Sequence, residues 1–178
     1  MKVYLWTAVV ATIVLGMACF GGSASEEGLA PEFALSAADG TTVRLTRLLA
    51  ERDAVVVVFH RGRRCTICVD QFKELQEAYP FFRQRNAELV AISTDNVPDT
   101  VKMVGASEAK FYALADFQGT VATSFGVMDD DGAAKSAIFV IGDGRKVLQE
   151  YVGREFDSPL PIEELLIFLD TMSVPIRE

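Results

Sequence analysis

Histidine and cysteine are scarce in this chain of 178 residues. Their scarcity argues against a disulfide framework and against a zinc site. The only histidine is His60, and the three cysteines are Cys19, Cys65 and Cys68. Three cysteines are too few for the disulfide framework of a small secreted domain. A structural zinc site needs a second pair of ligands beside a cysteine pair, and the sequence offers none that we recognise. We therefore expect neither a metal nor any other cofactor.

Positive charge is also in short supply. The chain has 17 lysines and arginines against 25 aspartates and glutamates, so its net charge is −8. A nucleic-acid partner is not expected, because binding phosphates needs an excess of basic residues. Internal repeats and low-complexity tracts are missing too. The length suits one domain with a short extra segment, and the half of the chain that is apolar is enough for a hydrophobic core.

Charged residues are missing from Val3 to Ser25, after Lys2. A positive start, an apolar stretch and then small residues are typical of an export signal, which would then be cleaved. The stretch is also just long enough to stay as a membrane anchor, and Leu15 to Cys19 resembles a bacterial lipobox for lipid attachment. All three outcomes place the domain outside the cytoplasm, in the periplasm or cell envelope. We assign residues 1–25 to this segment, 26–30 to a linker and 31–178 to the domain.

Apolar runs and helical stripes alternate along that domain. The β-branched run at 54–60 and the run at 88–94 predict strands covered on both faces. A helix is expected after the cysteines, and further short strands and helices follow to a closing amphipathic helix. Turn signals at 38–40 and 142–144 predict an N-terminal hairpin and a terminal hairpin. Together these predict an α/β fold with a mixed central sheet flanked by helices.

The stretch FHRGRRCTIC, residues 59–68, carries the chemistry. Cys65 and Cys68 fall where a buried strand passes into a helix, the usual place for chemistry in open α/β sheets. If Cys65 begins the helix, the helix dipole and the neighbouring arginines favour its thiolate. We expect Cys65 to be the nucleophile and the more exposed cysteine, and Cys68 to be the resolving thiol. Two structural thiols are the alternative.

Other polar residues near this stretch have two interpretations each. Arg61 could hold a carboxylate or steady the thiolate, or it could form a salt bridge with an acidic side chain. His60 could assist proton transfer, but a histidine at the end of a strand is more often a packed side chain. The acidic run at 129–131 lacks the pattern of a calcium loop, so we expect a solvated turn.

The quoted residues resemble those of the thioredoxin-fold superfamily, and more closely its AhpC/TSA, peroxiredoxin-like branch. VVVVFHRGRRCTICVDQFKELQ is similar to that branch's strand, Arg-Gly turn and Cys-x-x-Cys helix. VAISTD, FYALADFQGTVATSFGV and AIFVIGDGRKV resemble later segments, so the likeness spans about 31–170. The chain departs at Gly62, where the main peroxiredoxins carry Thr or Ser. It departs again at Arg64 and Thr66, which replace the family's Trp and Pro. The family also uses an arginine near the start of a late strand, and the nearest counterpart here is Lys135.

The resemblance implies a thioredoxin-like fold and an antioxidant oxidoreductase that reduces peroxides. In it, Cys65 and Cys68 would form an intramolecular disulfide that an external thiol reductant resets, and Arg61 would complete the catalytic set. Two alternatives stay open. One is an extracytoplasmic thiol–disulfide oxidoreductase acting on protein disulfides, and the other is a non-catalytic binding domain.

Overall fold

The computed structural model describes residues 28–63, 65, 67–153 and 161–173. The export segment predicted at 1–25, with its signal peptide, membrane anchor and lipid-anchor alternatives, lies outside these residues. Within them, no helix is both long enough and apolar enough to cross a membrane.

Seven strands form one mixed sheet, which confirms the predicted fold class. The sheet order is β2-β1-β5-β4-β3-β6-β7. Strands β3, β4 and β5 run parallel, whereas β6 is antiparallel to β3 and β7 to β6. The strands are β1 (Ala34–Ala37), β2 (Thr42–Arg44), β3 (Ala54–Phe59), β4 (Ala87–Ser93), β5 (Tyr112–Ala115), β6 (Ala137–Ile141) and β7 (Val147–Val152).

Helices cover both faces of the sheet, as a parallel centre requires. They are α1 (Leu45–Glu51), α2 (Cys68–Gln84), α3 (Val97–Ser107), α4 (Thr120–Ser124) and α5 (Ile162–Ser173). Every residue of β3 and β4 is buried, and alternate side chains enter different cores. Val56 and Val58 pack in the core with α2, α3 and α5. Val55 and Val57 pack in the core with α1 and α4.

Both predicted hairpins are present. β1 and β2 pair antiparallel at one end of the sheet, and a short 3₁₀ turn at Asp143–Arg145 joins β6 to β7 at the other. The last residues of the predicted linker lie against this second turn. Leu29 bridges Lys146, and the Ala30 N–H donates to the Arg145 carbonyl at 2.7 Å.

A buried carboxylate lies near the start of β4, away from the cysteines. Glu88 is only 4% exposed. Tyr79 donates its hydroxyl to Glu88 Oε1 at 2.8 Å, Arg83 Nη1 pairs with Oε2, and Arg52 Nε lies 3.6 Å from Oε2. Burial, and next the hydrogen bond with Glu88, raises the pKa of Tyr79 to about 12. This cluster ties α2 to the sheet.

Candidate active site

The carboxyl ends of β3, β4 and β5 lie side by side, so the loops that follow them meet at one edge of the sheet. Phe59 pairs with Ile92, and Ser93 pairs with Ala115. The stretch with the cysteines follows β3, and the 94–96 loop follows β4. This edge is where ligands bind in open α/β sheets.

A glycine lets these two loops come into close contact. Gly62 has φ +82, a left-handed conformation that favours glycine. A Cβ on Gly62 would lie 2.5 Å from Asp95 Oδ2. That same Oδ2 accepts the Arg63 N–H at 2.7 Å. The Arg63 side chain also reaches α3, where its Nε lies 2.9 Å from Asp99 Oδ1. The turn before the cysteines is therefore clamped to the loop after β4.

Cys65 and Cys68 form a disulfide with their Cα atoms 5.3 Å apart. The expectation that Cys65 begins the helix is wrong, because α2 starts at Cys68. Cys65 instead lies among turn hydrogen bonds, because the Cys65 N–H donates to the Gly62 carbonyl and the Cys68 N–H donates to the Cys65 carbonyl. Both cysteines are buried, at 4% and 2% exposure, so they differ little in overall exposure.

A cavity of about 460 Å³ opens beside Cys65. Cys65 lines it, and Cys68 is not among its described lining residues. The lining is mostly polar, with the exposed ring of Phe117 at the rim. The other lining residues are Arg61, Thr94, Asp95, Asn96, Asp99, Asp131, Gly132 and Ala133. One cysteine, one arginine and several carboxylates therefore share a small polar space.

The solved structures and sequences most similar to this chain include several peroxiredoxins. A peroxidoxin crystal structure from Mycobacterium tuberculosis superposes with a TM-score of 0.71 at 28% identity, covering 84% of this chain and 96% of that one. A protein from the same organism assigned to the peroxiredoxins is 30% identical, over 78% of this chain and 91% of the relative. A chloroplastic peroxiredoxin Q from rice is 26% identical, over 85% and 69%. The AhpC/TSA family model matches residues 28–150.

The chain belongs to the AhpC/TSA family. This confirms the family predicted from the cysteine stretch, and with it an oxidoreductase of the thiol peroxidase kind. The departure of this AhpC/TSA chain at Gly62 also has a structural explanation. Where the main peroxiredoxins carry a Thr or Ser side chain, the space beside the backbone holds the carboxylate of Asp95.

Arg61 lines the cavity described above and forms salt bridges there. Its Nη1 lies 3.0 Å from Asp129 Oδ2, and its Nη2 pairs with Asp131 Oδ2. The Asp130 N–H, and next Arg61, hold the pKa of Asp129 below its usual range. The acidic run therefore does more than form a solvated turn, because it holds Arg61 in place from the 128–134 loop.

His60 is a packed side chain. Burial lowers the pKa of His60 to about 3, so its imidazole is neutral at ordinary pH. Its Nδ1 accepts the Gly62 N–H at 3.1 Å, and its ring stacks edge-on against Phe72 at 4.7 Å. The proton of the neutral ring therefore sits on Nε2. In the described part of the chain, no group of three or more histidine, cysteine, aspartate and glutamate residues is arranged to hold a metal.

Four acidic residues of this site were not predicted from the sequence, and one of them is Asp99, which pairs with Arg63. Asp95 contacts the cysteine turn from 32 residues along the chain, and Asp129 contacts Arg61 from 68 residues away. Asp131 is as distant. The only signal for Asp95 is its place directly after the strand that follows the cysteine helix.

Proposed function

We propose that this chain is a thiol peroxidase in which Cys65 attacks the peroxide and Cys68 resolves the product. One observation carries the assignment of the two roles. Cys65 lines the cavity together with Arg61, whereas Cys68, at the first position of α2, is not among the described lining residues. We therefore expect a small substrate in the cavity to reach Cys65 before Cys68.

The reaction is an oxidation of two thiols by one peroxide. The Cys65 thiolate attacks the hydroxyl oxygen of the peroxide, the O–O bond breaks, and the leaving alkoxide or hydroxide takes up a proton. Cys65 becomes a sulfenic acid. The Cys68 thiol then attacks that sulfur and releases water, which forms the Cys65–Cys68 disulfide. An external dithiol or two thiols reduce the disulfide by exchange and are themselves oxidised.

Arg61 supports the first step through its positive charge. A guanidinium beside Cys65 favours the thiolate over the thiol. Its two salt bridges fix its position, so little reorganisation is needed when charge moves from sulfur to the leaving oxygen. We therefore assign Arg61 to the catalytic set with Cys65 and Cys68.

Thiol–disulfide exchange with protein substrates is the second candidate. The observation that favours it is the ready closure of the Cys65–Cys68 disulfide between residues three apart. An attacking partner thiol would form a mixed disulfide with Cys65. Both functions use the same pair of thiols. They differ in the substrate that oxidises or attacks the pair, which is a peroxide in one and a protein disulfide or thiol in the other.

The experiment compares the two oxidants on the same reduced protein. Wild type, Cys65→Ser and Cys68→Ser are reduced, freed of reductant and mixed by stopped flow with hydrogen peroxide or an oxidised protein disulfide. The proposal predicts fast peroxide consumption that Cys65→Ser abolishes and that Cys68→Ser keeps for one turnover. Slow peroxide reaction with fast disulfide exchange would instead assign the second function.

We also propose that the domain works outside the cytoplasm. The support is the uncharged stretch from Val3 to Ser25. In an oxidising compartment the cysteine pair needs a dedicated reductant to stay reduced. Mass spectrometry of the mature N-terminus from cell fractions tests this proposal. A soluble cytoplasmic form that keeps Met1 would contradict it, and the masses distinguish cleavage from lipidation of Cys19.

A further inference from the structure

Three carboxylates line the cavity beside Cys65, and two of them have cationic partners. Asp131 pairs with Arg61. Asp99 pairs with Arg63 at 2.9 Å and with Lys102 at 3.0 Å. Asp95 has no ion pair in the part of the chain that the structure describes. Among the described residues that line the cavity, Asp95 is therefore the carboxylate whose charge no ion pair offsets.

A hydrogen bond from the described part of the chain holds one oxygen of Asp95. Oδ2 accepts the Arg63 N–H at 2.7 Å. Among the described residues, no hydrogen bond reaches Oδ1. The contact with Gly62 leaves the carboxylate little room to turn, because the glycine has no side chain between it and the backbone. A fixed acceptor with an unused oxygen thus shares the cavity with Cys65.

We propose that Asp95 is a specificity-determining residue, whose Oδ1 accepts the hydroxyl proton of a neutral hydroperoxide and whose charge excludes peroxides that carry a carboxylate. An ionised acceptor makes a stronger hydrogen bond than a neutral one. A hydrogen bond to the hydroxyl group directs the oxygen that carries this proton, the one that the thiolate attacks, toward Cys65. The inference rests on the proposed function in taking Cys65 as the attacking thiol.

The negative charge of Asp95 disfavours substrates that carry a carboxylate. An anionic substrate must bring its carboxylate into a small space where Asp95 forms no ion pair with the described residues, and like charges in such a space repel. Arg61 offsets this repulsion only in part, because Asp129 and Asp131 already pair with its guanidinium. Small neutral peroxides, such as hydrogen peroxide, meet no such barrier.

Alkylation measures the charge discrimination without any peroxidase turnover. The reduced Cys68→Ser protein, in which Cys65 is the reactive thiol under test, is treated with neutral iodoacetamide or anionic iodoacetate. Site-resolved mass spectrometry gives the rate at Cys65. We expect the iodoacetamide-to-iodoacetate rate ratio to exceed that of free cysteine by about tenfold, which corresponds to about 1.4 kcal/mol. Asp95→Asn should bring the ratio close to that of free cysteine.

Two comparisons make the result specific. Asparagine at position 95 keeps an oxygen that can accept the Arg63 N–H, so the turn is retained, and circular dichroism checks the fold. Asp143→Asn removes the same charge at the opposite end of the sheet, because β6 runs antiparallel to β3. Asp143→Asn should leave the ratio unchanged. Equal ratios in the parent, Asp95→Asn and Asp143→Asn proteins would overturn the proposal.

Peroxide kinetics then test the substrate itself. With Cys68 intact, wild type should oxidise the methyl ester of a short hydroperoxy acid, whose carboxyl group lies within a few atoms of the peroxide, about tenfold faster than the free acid. Asp95→Asn should remove this preference and slow the reaction with hydrogen peroxide. A uniform loss with the preference kept would show that Asp95 only supports the turn. Charge discrimination in alkylation without peroxide activity would refute the proposed function and leave only the exclusion of anions by Asp95 standing.

Discussion

Replacing His60 by glutamine tests how the buried imidazole beside the active-site turn links folding to pH. Burial lowers the pKa of His60 from 6.5 to about 3. At pH values between these two pKa values, His60 binds a proton in the unfolded chain and not in the folded chain. Stability is therefore complete above about pH 6.5 and is lost as the pH falls toward 3.

The loss of stability follows from the difference between the pKa values of His60 in the unfolded and folded chains. Each pH unit below about 6.5 costs about 1.4 kcal/mol, so wild type should lose about 2 kcal/mol between pH 7.5 and pH 5.0. The sequence has one histidine, so no other imidazole contributes. Asp39, Asp99 and Asp129 have pKa values lowered from 3.8, so they titrate below this range.

The assay is urea unfolding of the disulfide form at both pH values, followed by circular dichroism. His60→Gln keeps a side-chain oxygen that can accept the Gly62 N–H, and its stability should fall by about 2 kcal/mol less than that of wild type over the same interval. An equal fall in both proteins would refute the reasoning, since another group would then bind the proton.

Three further predictions concern the turn, the buried carboxylate and the arginine. Gly62→Ala should cost about 2 kcal/mol of stability, from left-handed strain and displacement of Asp95, and urea unfolding should show a smaller cost when Asp95→Ala is already present. Glu88→Ala should cost about 2 kcal/mol by the same assay, through the lost hydrogen bonds to Tyr79 and Arg83, while the peroxide rate constant stays unchanged because the cluster is remote. Arg61→Ala should slow peroxide oxidation by about tenfold, or about 1.4 kcal/mol, and an unchanged stopped-flow rate constant would remove Arg61 from the catalytic set.

Much of the fold could be predicted because its signals are local. The β-branched run of β3 and the glycine-rich turn at 142–144 each specify a structure within a few residues. The mixed sheet follows, because the two strands of the terminal hairpin are antiparallel to each other. They therefore cannot both run parallel to the central strands. The start of α2 at Cys68 has no such local signal, since Cys65 lies among turn hydrogen bonds that follow Gly62.

The site could be predicted only in part, for the same reason. Cys65, Cys68 and Arg61 lie in one short stretch, and their spacing and charge are visible in it. Asp95 and Asp129 reach the site from other loops, 32 and 68 residues from their partners. Only the order of the strands brings those loops together, and single-sequence patterns do not contain the pairing of distant loops.

The most direct test of the central claim locates the oxygen after a single turnover. Reduced Cys68→Ser is mixed with one equivalent of hydrogen peroxide in the presence of dimedone, which traps sulfenic acids. Mass spectrometry should place the adduct on Cys65, and Cys65→Ser treated in the same way should give no adduct on Cys68. An adduct on Cys68, or peroxide consumption that survives in Cys65→Ser, would contradict the assignment of Cys65 as the attacking thiol.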